Sequence, residues 1–392
     1  MDKLSVQPGD IWLSCEDQAW FGWKSLSIKS SLSQVQHSFE MKTTDIQGLG
    51  ESQWNVEGGS EVSIYFRNIR IFTGYVQKYD ISLSDTSHEI SIAGESKAID
   101  LVQCSHVGKY FWKNVSGESI IKEVVKPFGL DIRIDTKLAA IPKEGLRVPV
   151  DSTAFDVIKK VAEQSSVLIY TMQSGTIRIV DDPSQDQVFE LKPGDYKSIS
   201  VNTDYSTIFS EVILKSQEKT YKTKEFKKRQ QKEQVKKNKK GKKNKKGKKK
   251  KTQKENQQPK ITTIDAQTNT QELRYRPLVI ISDGKEDSQK KLIENVNRRL
   301  NGDGKKISLT VKTPYTPTGE IWGIGQYVVL KDDIMGIDGS YIISDVSFSL
   351  SDSGFETQLD LCLPHVFNLK EVTPAQKRSE AASIFYDLMG IF

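Results

Sequence analysis

The sequence of 392 residues is poor in cysteine and histidine and contains no long apolar run. Its three cysteines, Cys15, Cys104 and Cys362, are far apart and odd in number, so we expect no disulfide framework. No stretch of about 18 apolar residues is present to cross a bilayer. The first residues, MDKLSVQPGDIW, also lack the apolar core of a signal peptide. A secreted or membrane-spanning protein is therefore not expected.

The few potential metal ligands do not form a recognisable site. Four histidines are present: His37, His88, His106 and His365. Cys104 with His106 and Cys362 with His365 are the pairs at ligand spacing, and two ligands do not complete a tetrahedral zinc site. The sequence therefore predicts structural or surface histidines and neither a metal nor a cofactor.

Catalytic motifs are also missing, since neither a GxSxG element nor a phosphate-binding loop occurs. Gly323-Ile324-Gly325 lacks the third glycine and the following helix of a dinucleotide fingerprint. Asp332-Asp333 and Asp338 are suited to attract a cation, but they lack the EF-hand spacing. Asp181-Asp182 are adjacent and point apart on a strand end, which favours solvated loop charges over a carboxylate pair. We expect no enzymatic activity.

The net charge of +6 is divided unevenly along the chain. Residues 215–260 contain 22 Lys and Arg against 4 Asp and Glu, so this segment carries +18 and the rest of the chain −12. Lysines at this density repel one another and leave almost nothing apolar to bury. The sequence predicts a disordered Lys-rich loop inserted into an acidic body.

Two interpretations of the Lys-rich loop are open. It is either a solvated insertion without a ligand, or a site that binds a polyanion, such as DNA or an anionic surface, by counterion release. Residues 227–260 contain no aromatic side chain to stack on bases, which argues against base recognition. The candidate polyanion-binding residues are Lys236, Lys237, Lys239, Lys240, Lys242, Lys243, Lys245, Lys246, Lys248 and Lys249.

The alternation of apolar and polar residues predicts β-strands over most of the first 100 residues, as in Trp23–Lys29. Short strands with Gly and Ser-Asp punctuation indicate a small barrel or sandwich. The period then changes to that of helices. Ser116 and Thr153 can cap two amphipathic helices, each followed by a strand.

A second β-rich unit follows the Lys-rich loop and ends near Phe367. Beyond it, the Thr373-Pro374-Ala375-Gln376 sequence can open a helix with proline at its first position. The apolar stripe of this helix either docks on a partner or packs on its own chain, and the sequence leaves both open. Its members are Ile384, Phe385, Leu388, Met389 and Phe392.

Together these patterns predict an α+β, β-rich chain with two small β-barrel domains, inserted helix and strand modules, a disordered Lys-rich loop and a C-terminal helix. The expected segments are a first barrel at 1–105, an inserted α+β module at 106–190, a second barrel at 191–214 and 261–367, the Lys-rich loop at 215–260, and a helical tail at 368–392.

Several stretches resemble a known family. Arg274–Ser282 (RYRPLVIIS), the Gly319-Glu320-Ile321-Trp322 step and the Tyr341–Val346 strand resemble the C-terminal half of Mu-like phage tail proteins, which are the baseplate hub proteins of contractile tails. Phe72–Val76 and Gly94–Ser105 are similar to the first barrel of that family and its exit. The resemblance covers about Trp20 to Phe367 and leaves the Lys-rich loop unexplained.

The resemblance implies a structural role in the baseplate of a virion tail. Hub proteins of this family form homotrimers in which each chain contributes two similar β-barrels, so that six barrels form a pseudo-sixfold ring. The ring adapts the sixfold tail tube to a threefold spike that pierces the host envelope. The implied partners are other copies of the chain, the spike, tube or adaptor proteins, wedge proteins and passing DNA, with assembly in the host bacterial cytoplasm.

Overall fold

The structure, a computed structural model, describes the chain over 10–16, 18–44, 56–85, 88–141, 143, 145–165, 167–183, 188–204, 211–216, 260–264, 275–282, 305–352 and 354–367. The chain divides into two compact units, Met1–Ile208 with Arg298–Phe392 and, separately, Phe209–Asn297. Residues 217–259 of the Lys-rich loop, a helix predicted at Lys285–Leu300 and the predicted tail at 368–392 lie outside the described residues.

The first β-unit is an antiparallel sheet of seven strands: β1 (Ile11–Cys15), β2 (Gln18–Trp20), β3 (Ser25–Ser31), β4 (Ser38–Thr44), β5 (Glu61–Phe66), β6 (Ile69–Leu83) and β7 (His88–Ser96). They lie in the order β3-β4-β7-β6-β5-β1-β2. The predicted alternation is confirmed in β3, where Leu26 and Ile28 are buried and Lys29 is exposed. This alternation gives the sheet one apolar face, which forms the core.

The inserted module follows, with three helices and five short strands. In chain order these are α1 (Ile99–Gln103), β8 (Phe111–Trp112), α2 (Gly117–Val125), β9 (Ile132–Ile134), β10 (Leu146–Arg147), α3 (Ala154–Ser165), β11 (Leu168–Thr171) and β12 (Ile177–Val180). The Ser116 hydroxyl accepts a hydrogen bond from the Ser119 amide at 3.1 Å, as predicted for the N-cap of α2. Gly129, with φ of +62°, ends the helical segment in a left-handed conformation that glycine adopts without strain.

The small sheet of the module, β11-β12-β9, packs on the helices of the module with one face and on the core of the β-units with the other. Ile177 and Ile179 pack with the buried residues of α2 and α3, whereas Leu168, Tyr170 and Val180 join the core of the β-units. The small sheet is therefore the middle layer between two helices and the large sheet.

Polar contacts fix the position of the module. The Gln173 side-chain amide donates to the Trp322 carbonyl at 3.0 Å, and the Thr171 hydroxyl donates to the Val35 carbonyl. Trp322 belongs to the Gly-Glu-Ile-Trp step that carried the family resemblance. It is buried, and its ring meets Phe189 edge-on at 5.4 Å. This step is therefore a packing element that joins the module to the second β-unit.

The second β-unit begins with β13 (Val188–Leu191) and β14 (Tyr196–Thr203). The next three strands are β15 (Glu211–Ser216), β16 (Lys260–Ile264) and β17 (Pro277–Ser282), and they belong to the other compact unit. Within that unit, β15 pairs antiparallel with β16 and parallel with β17. The two strands β15 and β16 therefore bracket the Lys-rich loop.

The second β-unit is completed by β18 (Lys305–Val311), β19 (Tyr327–Asp332), β20 (Ile337–Ser351) and β21 (Gly354–Cys362). Its strand order is β14-β18-β21-β20-β19-β13. The second half of β20 also pairs antiparallel with β3, so the two β-units share one sheet of 13 strands.

The predicted β-rich α+β class is confirmed. Across the described ranges, the strand pairings form an open, branched sheet with edges at β2, β13 and β14, and they close no barrel. No helix in this part of the chain is long and apolar enough to cross a membrane.

The close approach of the paired strands β6 and β7 leaves no room for a side chain at Gly94. A Cβ there would lie 1.9 Å from the Tyr75 carbonyl oxygen, which is backbone and cannot turn away. We predict that Gly94→Ala lowers the free energy of unfolding by about 1–3 kcal/mol through overpacking. Urea unfolding measures the change. Gly58→Ala is the control, because nothing lies within 4 Å of its Cβ position, and equal unfolding midpoints for the two variants would contradict the packing described.

A second prediction concerns His37, which is buried in the segment between β3 and β4. Burial lowers its pKa to about 4, and a backbone hydrogen bond with Ser31 offsets this only in part. The unfolded chain, with an ordinary histidine pKa of about 6.5, therefore takes up the proton first. Stability from this group is complete above about pH 6.5 and is lost as the pH falls towards 4.

Because each pKa unit corresponds to about 1.4 kcal/mol, we expect the wild type to lose about 2–3 kcal/mol more stability than His37→Gln between pH 7 and pH 4.5. Denaturant unfolding at both pH values measures this difference. Carboxylates that titrate in the same range are common to both proteins and cancel. Parallel stability curves for the two proteins would show that His37 is not buried in its neutral form.

Candidate assembly site

The side chains proposed from sequence as binding groups lie outside the described residues. The polyanion-binding candidates between Lys236 and Lys249 are all in this class, as are Ile384, Phe385, Leu388, Met389 and Phe392 of the C-terminal stripe. Both assignments stay predictions.

The potential ligands near cysteines do not converge. Cys104 is exposed, while His106 is buried with its Nε2 atom 2.9 Å from the Lys109 carbonyl oxygen. Cys362 is buried, and the side chain of His365 lies outside the part of the chain that the structure describes. Within the described ranges, no group of three or more His, Cys, Asp or Glu residues is arranged to hold a metal.

The carboxylate at Asp332 has a structural use in the turn after β19. Its Oδ1 atom accepts hydrogen bonds from the Ile334 and Met335 amides, both at 2.9 Å. The Tyr196 hydroxyl donates to its Oδ2 atom, and this bond, followed by those from the amides, lowers the pKa of Asp332. Burial, followed by the neighbouring carboxylate, raises the pKa of Tyr196 to about 12. The pair thus links β14 to the β19–β20 turn.

The main regularity of the structure is that its two β-units repeat one strand order. The first contains β3-β4-β7-β6-β5-β1 and the second β14-β18-β21-β20-β19-β13. Each strand has its counterpart at the same position, and every neighbouring pair is antiparallel except β13 with β19, which is parallel. The chain therefore contains one structural unit twice, with the inserted module between the copies.

Strand lengths and irregularities repeat as well. β6 and β20 both have 15 residues, and β7 and β21 both have 9. The long strands each carry a bulge near their middle, at Gln77 in β6 and Ser344 in β20. A bulge bends a strand and increases its twist. In β20 it marks the point where the strand changes its partner from β19 to β3.

The pairing of β3 with β20 is the junction between the two units. Phe348 lies opposite Ile28, and Leu350 opposite Leu26. Phe348, Ile28 and Leu26 are each at most 2% exposed. Cross-strand pairs of this kind combine backbone hydrogen bonds with apolar burial, which together set the register.

A polar network holds the bulge at this junction. The Leu32 amide donates to the Ser344 carbonyl at 2.8 Å, and the Ser344 hydroxyl lies 2.7 Å from an Asp345 carboxylate oxygen. Lys306 on β18 contacts Asp360 at 2.8 Å and Asp345 at 3.5 Å. Burial opposes its charge, but the two carboxylates outweigh burial and raise the pKa of Lys306. One lysine thus partly neutralises the two carboxylates beside the junction.

The family resemblance implied two similar units, but the residue patterns alone did not show the repeat, although a signal was present. The four residues Ser82-Leu83-Ser84-Asp85 at the end of β6 recur as Ser349-Leu350-Ser351-Asp352 at the end of β20. Four identical residues are too short a match to find without the strand order. Because they lie at equivalent positions in the repeated strand order, the match belongs to the structural repeat.

Comparisons with known proteins agree with this architecture. Residues 10–96 match the family model of the N-terminal domain of the Mu phage baseplate assembly protein GpP-like family. Residues 98–181 match that of the second domain of gp44-like baseplate hub proteins. The first match spans the first β-unit, and the second spans the inserted module.

Relatives extend the likeness over most of the chain. The baseplate hub protein gp44 of Escherichia phage Mu is 22% identical over 370 residues, covering 90% of this chain and 87% of that protein. The crystal structure of the 43 kDa tail protein of prophage MuSo2 from Shewanella oneidensis has 20% identity and a TM-score of 0.71, with 92% of this chain and 98% of that one covered. A tail protein from Neisseria meningitidis, at 15% identity and the same coverage of both chains, has a TM-score of 0.69.

The two family models follow one another along the chain, and the similarity to the Mu protein continues through the second β-unit. Residues 10–181 therefore match two domains of Mu-like baseplate hub proteins, and the similarity to the Mu protein over 90% of the chain supports a Mu-like baseplate hub protein of a phage-type contractile tail.

Proposed function

We propose that this protein forms a homotrimeric ring in the baseplate and adapts the tail tube to the central spike during envelope penetration and DNA delivery. The observation that carries the proposal is the repeated β-unit, joined to its copy by the pairing of β3 with β20. Three chains with two such units each supply six similar elements. Such a ring presents sixfold pseudo-symmetry to a tube and threefold symmetry to a spike.

The open edges of the sheet support assembly. Unpaired strand edges are templates for pairing with another chain, and monomeric proteins generally cover them. Here the described strands leave the sheet open at β2, β13 and β14. Cyclic association of identical chains pairs such edges and ends the assembly at a fixed number of copies. The two small barrels expected from the sequence form part of this proposal, as units whose closure the ring completes.

The partners follow from this role. Besides its own copies, the chain contacts the spike on one side, the tube or adaptor proteins on the other and wedge proteins around it, after assembly in the host cytoplasm. DNA passes through the lumen. We propose a structural role without catalysis.

A ring-forming protein has a simple signature in solution. We predict that light scattering gives three times the monomer mass and that electron micrographs viewed down the axis show a ring of six similar lobes. A stable monomer under all solution conditions, with no ring on any grid, would contradict the proposed function.

The absence of catalysis has its own test. We expect no clearing of peptidoglycan in zymograms of the purified protein, with lysozyme as the positive control on the same gel. A clear zone at the mass of this chain would overturn the non-catalytic assignment while leaving the ring intact.

A further inference from the structure

The junction inside the chain pairs the edge of β3 with the edge of β20. The equivalent strands of the repeated units are β14 and β6, and their corresponding edges have no partner among the described strands. Among the described strands, β6 beyond its bulge pairs with β7 alone, because β5 reaches only to Tyr75 on its other side. In the second unit, β14 has β18 as its only pairing partner in the described structure. These two edges, residues 78–83 and Tyr196–Thr203, occupy the positions of β20 and β3 in the repeated strand order.

Burial shows that the leftover β6 edge is an unfilled copy of the junction. Alignment of the two units at their bulges places Ile81 with Phe348 and Leu83 with Leu350. Phe348 is 2% exposed and Leu350 is partly buried, whereas Ile81 is 55% exposed and Leu83 is 78% exposed. The same face of the same strand position is thus covered by β3 in one unit and open in the other.

The leftover edge of β14 shows the same contrast. The registers of the two units match Ile199 with Leu26 and Val201 with Ile28. Leu26 and Ile28 are buried, but Ile199 and Val201 are only partly covered. The apolar residues of this strand are buried in one copy of the unit and only partly buried in the other, which indicates that a further strand pairs here on assembly.

We propose that residues 78–83 of one chain pair antiparallel with β14 of the next chain, in the register that β20 and β3 have within one chain. This register sets Leu83 opposite Ile199, Ser82 opposite Ser200 and Ile81 opposite Val201. It also brings Lys78 opposite Asp204, so that charges of opposite sign meet at the end of the junction.

The occupant is a second copy of this chain because both halves of the junction are present on one molecule. The contact is head-to-tail, with different edges on the two sides, and a contact of that kind forms a ring when its rotation closes. The proposal rests on the proposed ring and adds to it the strands and the register that join its chains.

A designed disulfide tests the register. Directly opposite residues of an antiparallel pair have Cα atoms about 4.5–5.5 Å apart, within the range that a disulfide bridges. The variant Ser82→Cys with Ser200→Cys, made in a Cys104→Ser background to remove the exposed native thiol, is oxidised in the assembled state. We expect most chains to appear as cross-linked dimers and trimers on a denaturing gel.

The matched control is Ser82→Cys with Asn202→Cys, two positions out of register on the same face. We expect at least about tenfold less cross-linking, since diagonal neighbours lie about 7–8 Å apart. Rings that form without the 82–200 cross-link would overturn this junction and leave the proposed function standing. Cross-linked chains that grow without closing would support the junction and contradict the ring. Absence of any assembly would contradict both.

A charge at the same edge gives an independent measure. Leu83→Asp places a carboxylate against Ile199, and we expect the protein concentration at half-assembly to rise at least about tenfold. Val107→Asp is the control, because Val107 is 87% exposed on the inserted module and we expect a change of less than about twofold. Circular dichroism checks that both variants fold. Equal assembly of the two folded variants would overturn the proposal.

Discussion

The antiparallel pairing of β3 with β20 is the contact on which the arrangement of the two β-units depends. It joins strands that are more than 300 residues apart in sequence, and it merges the apolar residues of both units into one core. Because the side chains of a strand alternate between faces, a slip of one residue would expose Leu26 and Ile28 and bury Lys29. The register is therefore fixed by burial as well as by hydrogen bonds.

This contact depends in turn on long strands that serve two partners. The first half of β20 pairs with β19 and the second half with β3, with the bulge at Ser344 between them. The equivalent strand β6 has the same length and the same kind of bulge, but within the described part of the chain only its first half has a second partner. A long strand with a central bulge therefore joins the two β-units within the chain, and in the proposed ring the equivalent strand joins one chain to the next.

The sequence predicted the local structure well. Period-2 alternation located β3 and most other long strands, and the capping residues Ser116 and Thr153 marked the starts of α2 and α3. These features depend on neighbours in the chain. The strand order, the junction and the repeat depend on pairing between distant segments, which periodicity does not encode. Nothing in the sequence indicates that Ile81 and Leu83 are exposed at positions where the second unit has covered residues, because that comparison needs the strand register.

In the proposed ring, the edge of β6 beyond Gln77 becomes an internal strand pair when chains assemble. Amide hydrogen exchange on the assembled protein tests this directly, because edge amides exchange quickly and paired amides slowly. We predict that residues 78–83 and β14 become as protected on assembly as residues 345–350 of β20, which are paired on both sides within the chain. Rapid exchange at both edges in a fully assembled ring would contradict the account.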